Sequence, residues 1–256
     1  MAYTTINKSS EHFNTKIYTG NQSSTHAVTG VGFEPSLTWL KIRTGTGDNY
    51  LYDAIRGVTK SISSNTTSSE FSNTYFSSFN TDGFTLGSAS NNVNGGYNYA
   101  SWNFKANGAG SANTAGSINS TVSVNTTSGF SIVKYIGNDT SGATVGHGLG
   151  VVPKMIIVKR LSGSAQHWQV YHISTGNTKS SQLSGTGTPD TSAAYWNNTS
   201  PTNSVFTIGN GSTVNGGGGA DSYIAYCFAD IQGYSKVSGS YTGNGNADGT
   251  FVYTGF

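Results

Sequence analysis

The text Tyr-x-Gly-Asn occurs three times, at 18–21, 135–138 and 241–244, each time at the head of a similar stretch. Repetition constrains a fold more than any other sequence feature, because each copy must close its own core with the same pattern of residues. The first anchor leads to VGFEPSLTWLKIR (31–43) and the second to LGVVPKMIIVKR (149–160). Pro35 answers Pro153 and Lys41 answers Lys159, while NYLYD (49–53) answers HWQVYH (167–172). Further on, DGFTLGSASNNVNGGYNYASWNFK (82–105) answers NSVFTIGNGSTVNGGGGADSYIAYCFAD (203–230). There Phe84, Leu86, Gly87, Tyr99, Trp102 and Phe104 fall on Phe206, Ile208, Gly209, Tyr223, Tyr226 and Phe228.

The repeated unit reads as β-structure. TWLKIR and KMIIVKR are short β-branched and aromatic runs bounded by Gly, Pro and Thr. TDGFTLG and NSVFTIG alternate apolar with polar residues, as half-buried strands do. YNYASWNF and SYIAYCF are the densest apolar runs and are expected to be the most central strands. NNVNGGYN and NGGGGAD supply the Gly and Asn that tight turns require. YDAIRGVTKSI (52–62) is the one stretch expected to form a short helix, and the Gly/Ser/Asn-rich stretch 107–129 is expected to be an extended connector. The expected fold class is all-β: two tandem β-sandwich-like domains from an internal duplication, with a short N-terminal element. Two phases are open: starting each copy at Tyr-x-Gly-Asn leaves a cropped third copy, whereas starting it at Gly-Phe-Glu-Pro, the preferred cut, places an N-terminal attachment element at 1–31, β-domain 1 at 32–150 and β-domain 2 at 151–256. The final YTGNGNADGTFVYTGF then closes the second domain as a hairpin, since a lone hairpin cannot bury its apolar face.

Composition narrows the function classes. Only 9% of the 256 residues are charged, with a formal net charge of +2, while 15 Tyr and 12 Phe provide aromatic core. So weak and scattered a positive charge gives little counterion-release drive toward nucleic acid. No apolar run approaches the ~20 residues that span a bilayer, so no membrane insertion is expected. The start MAYTTINKSSEHFN has neither a basic n-region nor an apolar h-region, so no secretory signal is expected. Cys227, the only cysteine, sits in YIAYCFAD and is expected to be a buried small hydrophobe.

Reactive chemistry finds little footing. There is no Gly-x-Ser-x-Gly elbow, no His-x-x-x-His and no Cys-x-x-Cys, so neither a nucleophile nor a metal site nor a cofactor is expected. A glycosidase needs two carboxyl groups facing one cleft. Yet Glu34 is answered by Val152 and Asp53 by His172, so no acid pair recurs. NGNADG (244–249) imitates a calcium loop, but its single carboxylate, Asp248, favours a hairpin turn. TVGHGLG around His147 likewise reads as a flexible turn. Trp39 and Trp102 lie in strand runs and are expected in the core. Tyr195 and Trp196, in the polar stretch AAYWNNTSPTNS, are the candidate glycan contacts, as exposed aromatics can stack on a sugar ring.

MAYTTINKSSEHFNTKIYTGN, GFEPSLTWLKIR with LYDAIRGVTK, and AYCFADIQGYSKVSGSYTGNGNADGTFVYTGF resemble the tandem-repeat virion proteins of marine tailed phages, cyanophages among them. The resemblance implies a tail fibre or other virion structural protein, assembled in the bacterial cytoplasm and located in the virion. It also implies homotrimers, other virion proteins as partners and host-surface polysaccharide as a contact, and it carries over no catalytic residue. A capsid decoration protein is the structural alternative, and a glycan depolymerase the enzymatic one. A neutral, amide- and hydroxyl-rich exterior suits seawater, where a Debye length of ~4 Å leaves surface ion pairs little to contribute.

Overall fold

The computed structural model describes residues 4–216 and 218–255. The first half contributes β1 (Phe13–Thr19), β2 (His26–Thr29), β3 (Leu37–Ile42), β4 (Tyr50–Asp53), β5 (Lys60–Ser63), β6 (Phe71–Ser72), β7 (Phe76–Asn80), β8 (Gly83–Leu86) and β9 (Asn98–Phe104). Then follow β10 (Ser111–Asn113), β11 (Ser120–Asn125), β12 (Phe130–Ile136), β13 (Ala143–Gly146), β14 (Met155–Arg160), β15 (Gln169–His172), β16 (Lys179–Gln182) and β17 (Asp190–Thr191). One helical turn, α1 (Ala193–Trp196), precedes β18 (Val205–Ile208) and β19 (Ser222–Phe228). The protein is all-β, with β-sandwich-like packing.

Two large sheets carry the architecture. One has the order β1-β9-β3-β4-β5-β6 and the other β10-β11-β12-β19-β14-β15-β16-β17, with small sheets β2-β8-β7 and β13-β18. From β12 onward the second large sheet repeats the strand order of the first, and the register repeats as well. Tyr18 lies opposite Tyr99 and Tyr135 opposite Tyr223, and both pairs stack, at 5.1 and 5.3 Å between centroids. As expected, YNYASWNF and SYIAYCF are central: β9 runs between β1 and β3, and β19 between β12 and β14.

Strand side chains alternate between the faces of each large sheet, so one face packs on a small sheet and part of the other packs on the opposite half. Tyr18, Leu40, Ile42, Tyr52 and Tyr99 pack against Val28, Phe76, Phe84 and Leu86 of the small sheet. Val133, Tyr135, Val158, Tyr223 and Cys227 pack likewise against Val145, Phe206 and Ile208. A third core joins the halves: Leu37, Leu51 and Ile62 meet Ile132, Ile157, Trp168, Ile224 and Tyr226. The molecule is thus four sheets deep. This is why YLYD of β4 is buried at every position, where a one-faced strand would alternate.

The repeated Tyr-x-Gly-Asn has a mechanical explanation. In the first half the Tyr18 hydroxyl donates to the Val93 carbonyl at 2.8 Å, and the Asn21 N–H donates to Asn94 Oδ1 at 3.1 Å. A Cβ on Gly20 would stand 1.9 Å from the Gly95 carbonyl oxygen. In the second half Tyr135 donates to Val214, Asn138 N–H to Asn215 Oδ1, and a Cβ on Gly137 would meet the Asn215 oxygen at 2.3 Å. The Val-Asn-Gly of each β8–β9 or β18–β19 loop is therefore the seat for the Tyr-x-Gly-Asn hairpin. Asn94 and Asn215 are fully buried and their amides also donate to carbonyls of that hairpin, Ser23 and Thr140.

Several expectations are corrected. The N-terminal residues are not a separate element: β1 pairs along β9 and β2 along β8, inside the first half's sheets. Similarly, β12 and β13, expected in the domain 32–150, pair with β19 and β18. The unit therefore begins at the strand ending in Tyr-x-Gly-Asn, and the boundary between halves falls near β10–β11 rather than at 150. Residues 107–129 are no plain connector, since Ser120–Asn125 adds β11 to the second large sheet and buries Val122. YDAIRGVTKSI forms no helix. Asp53 Oδ1 takes the Arg56 N–H and Gly57 adopts φ 92°, which closes a turn between β4 and β5. Residues 241–256 do not close the second half as a hairpin. No strand forms at 241–255, and Phe256 lies outside the described residues, as do residues 1–3 and Gly217.

Candidate functional site

The proposed glycan pair Tyr195–Trp196 is not a surface platform. Ser192 caps α1 by accepting the Ala194 N–H, and this turn swings Trp196 inward, where it is 1% exposed and its ring meets Tyr171 edge-on at 5.9 Å. Tyr195 packs on the same core and its hydroxyl donates to Asp190 at 2.7 Å. Burial, with the hydrogen bond to Asp190, raises its pKa to about 12. A buried indole offers no face to a sugar.

An aromatic surface does exist, on strands that sequence reasoning assigned to the core. Trp39 on β3 lies directly opposite Trp102 on β9, and the rings meet edge-to-face at 6.1 Å. Both are half-buried, and with Phe104 they line an open cleft of about 230 Å³. The pairing register places Thr15, Ile17 and Thr19 of β1, Asn98 and Ala100 of β9, and Lys41 of β3 on the same face. Ile17 is 64% exposed there, and Thr15 and Thr19 are exposed beside it. Thr19 Oγ1 donates to Asn98 Oδ1 at 2.8 Å, so the apolar strip ends in a hydroxyl–amide pair.

The reason this face is open lies in how the halves stack. The positions that match Thr15, Trp39, Ala100 and Trp102 are Ile132, Ile157, Ile224 and Tyr226, buried in the core between the halves, whereas Lys134 and Ile136, which match Ile17 and Thr19, are themselves partly exposed. Tyr226 donates its hydroxyl to Asp53 at 2.8 Å, and Trp168 Nε1 donates to the Ser63 carbonyl at 2.8 Å. In the first half Trp102 stays half-buried and Ile17 exposed. A larger cleft of about 380 Å³ lies among Phe13, Phe104, Phe130, Phe228 and Tyr234. Its phenylalanines pack on one another at 4.7 to 5.9 Å, which makes it the rim of the core between the halves.

The charged groups are tied into the framework. Asp53 takes Arg56 Nε at 2.5 Å with both side chains fully buried, and Arg56 reaches on to Glu70 and to the carbonyls of Leu51 and Lys60. Arg160 pairs with Asp221, and Lys236 with Asp230. Burial works against the Asp230 charge, but donors from Ser238, Val237 and Lys236 prevail and hold its pKa near 2. Lys159, buried over Trp168, donates to the Thr67 and Gln166 carbonyls, and burial beside Arg160 lowers it to about 8. His147 accepts the Leu149 N–H at Nδ1 and donates from Nε2 to Thr202, which fixes a neutral tautomer; burial lowers its pKa. His167 contacts Ser184 and His172 contacts the Val237 carbonyl. The Cys227 thiol is buried and pushed up to about 12.

Among the described residues no three His, Cys, Asp or Glu side chains gather as a metal cluster. In NGNADG, Asn244 and Asn246 accept the N–H groups of Asn246 and Asp248, so these side chains act as turn formers. The signal that could have identified the Trp39–Trp102 face was present in β1. That strand, FNTKIYT, places Thr15 and Thr19 on the side of Trp102, and hydroxyls at two such positions mark a face that is not fully buried.

No curated protein and no solved structure matches the chain. The profile of a family described as a domain of unknown function (DUF7483) matches residues 8–256. With nearly its whole length covered, the protein belongs to the DUF7483 family.

Proposed function

We propose that the protein is a non-catalytic virion component, a tail fibre or similar surface appendage of a phage, and that its Trp39–Trp102 face contacts host-surface polysaccharide. The observation that carries this reading is the open aromatic pair flanked by hydroxyl, amide and ammonium groups on an otherwise weakly charged protein. Sugar rings present apolar C–H faces and a polar rim, and the indoles with Thr15 and Lys41 beside them, and Thr19 and Asn98 farther along the same face, match both. The resemblance of the repeated motifs to marine phage virion proteins supports the placement on the particle. The engagement of Asp53, Asp221 and Asp230 in ion pairs supports the non-catalytic part. In this reading the protein assembles as a homo-oligomer alongside other virion proteins.

The test is binding of the full chain to a panel of bacterial surface polysaccharides, with a reducing-end assay on each mixture. Retention that falls at least tenfold in Trp39→Ala/Trp102→Ala supports the reading. Unchanged retention in that variant overturns the site, and sustained sugar release overturns the non-catalytic assignment. A capsid decoration protein is the second reading, favoured by the same apolar strip if it packs on a protein neighbour. Labelling on intact particles separates head from tail.

A further inference from the structure

Lys41 and Lys159 hold the same place in the two halves, opposite Ala100 and Ile224 of the matching central strands. Their surroundings differ. Lys159 is fully buried, with its ammonium donating to the Thr67 and Gln166 carbonyls and Trp168 beside it. Thr67 belongs to the loop 64–70 of the first half, which is pinned across Lys159 by Glu70 N–H to the Leu161 carbonyl and Ser69 Oγ to the Gly163 carbonyl. The counterpart loop of the second half, 183–189 between β16 and β17, does not close over Lys41 in return. Leu183, Thr186 and Thr188 are exposed, and the half-buried Lys41 has one acceptor among the described residues, the Gly47 carbonyl at 3.2 Å. An ammonium carries three N–H donors. Arg43 is the next residue on the same face, opposite Asn98, whose carbonyl takes its N–H at 2.7 Å. It is exposed, and neither it nor Lys41 forms an ion pair among the described residues. Asp48, next to Gly47, accepts Asn65 Nδ2 instead. The face thus runs from aromatic rings at Phe104, Trp102 and Trp39 to two cations without a counter-charge.

We propose that the polysaccharide held on this face is acidic, a chain of sugars bearing ring carboxylates of the uronic-acid type, with ring faces on Trp39 and Trp102 and a carboxylate between Lys41 and Arg43. This rests on the glycan reading of the same face and narrows it. Charge complementarity selects the occupant. A neutral glycan leaves both cations without a partner, whereas a carboxylate accepts from the ammonium and from the guanidinium fork. Reach places the acid. Lys41 follows Trp39 by two residues, about 7 Å along β3, so the anion is carried by the stacked ring or the ring beside it, not by a long side branch. Salt leaves such a contact in place, because screening acts beyond a Debye length and weakens a partly buried pair much less.

The test is retention of the full chain on alginate, a linear polymer of uronic acids, on carboxyl-reduced alginate and on dextran sulfate, at an ionic strength that cuts the Debye length to ~4 Å. Alginate is expected to retain the protein roughly tenfold better than either other polymer. Arg43→Gln is expected to lower retention on alginate toward that on the reduced polymer, as is Lys41→Gln, and Trp39→Ala/Trp102→Ala to abolish it. Equal retention on alginate and its reduced form overturns the acidic assignment and leaves the glycan reading standing. Equal retention on dextran sulfate overturns the carboxylate. Retention on alginate that survives loss of both tryptophans is bare charge attraction and overturns the proposal. No retention on alginate overturns it as well, while the wider panel still decides the glycan reading. Arg43 is exposed and outside every ion pair, so Arg43→Gln is not expected to disturb folding, and thermal melting of each variant checks this.

Discussion

At the residue scale, one amino acid type carries opposite consequences at three equivalent positions. Gly20 and Gly137 leave room for a carbonyl oxygen where a side chain would begin, so Gly20→Ala and Gly137→Ala force the hairpin off its seat. Each is expected to cost about 1–3 kcal/mol, the range for overpacking, while Gly243→Ala changes stability by less than about 0.5 kcal/mol. Denaturant melts of the three variants check this ranking. His147 gives a pH signature. Its folded pKa lies below the ordinary 6.5, so stability is fully present above that value. As pH falls below 6.5, the unfolded chain takes up a proton that the folded protein resists, and stability declines. Melting temperatures from pH 8 to 5 are expected to fall more steeply for the wild type than for His147→Gln; parallel curves would remove the assignment.

At the element scale, what could be read from the sequence depended on whether the signal was local. The central strands β9 and β19 were legible because they are dense in apolar residues, and β8 and β18 because they alternate. The phase of the repeat was not legible. Tyr-x-Gly-Asn can belong to the strand before it or the unit after it, and only the distant Val-Asn-Gly seat decides. β11 was hidden for a different reason: Val122 and Val124 alternate within a stretch whose Ser, Thr and Asn content reads as a linker. Local sequence context misleads for Trp196, which is buried, and only partly for Trp39 and Trp102, which are half-buried, Trp39 against the core between the halves. A polar neighbourhood suggested exposure for Trp196, but one capped helical turn points it inward. Strand context suggested burial for Trp39 and Trp102, but whether a sheet's second face is covered depends on where the other half sits.

At the scale of the whole molecule, the two halves share one core and one buried polar joint. Asp53 is neutralised by Arg56 of its own half and accepts the Tyr226 hydroxyl from the other, so the buried ion pair is hydrogen-bonded across the contact. Asp53→Asn removes the shortest of the buried Arg56's carboxylate contacts and leaves it Glu70 and two carbonyls; it is expected to cost about 3 kcal/mol. Unfolding is expected to remain a single transition seen identically by far-UV circular dichroism and tryptophan fluorescence, since Trp168 reports on the contact and the strands on both halves. Two separated transitions would contradict the shared core. The same stacking covers one face of the second half and leaves Trp39 and Trp102 open on the first, and the functional reading rests on that asymmetry. The most direct measurement is the set of four indole N–H resonances during titration with a bacterial surface polysaccharide that the protein retains. Trp39 and Trp102 are expected to shift while Trp168, held by the Ser63 carbonyl, and the buried Trp196 stay in place. Movement of Trp196 with Trp39 and Trp102 silent would contradict the account.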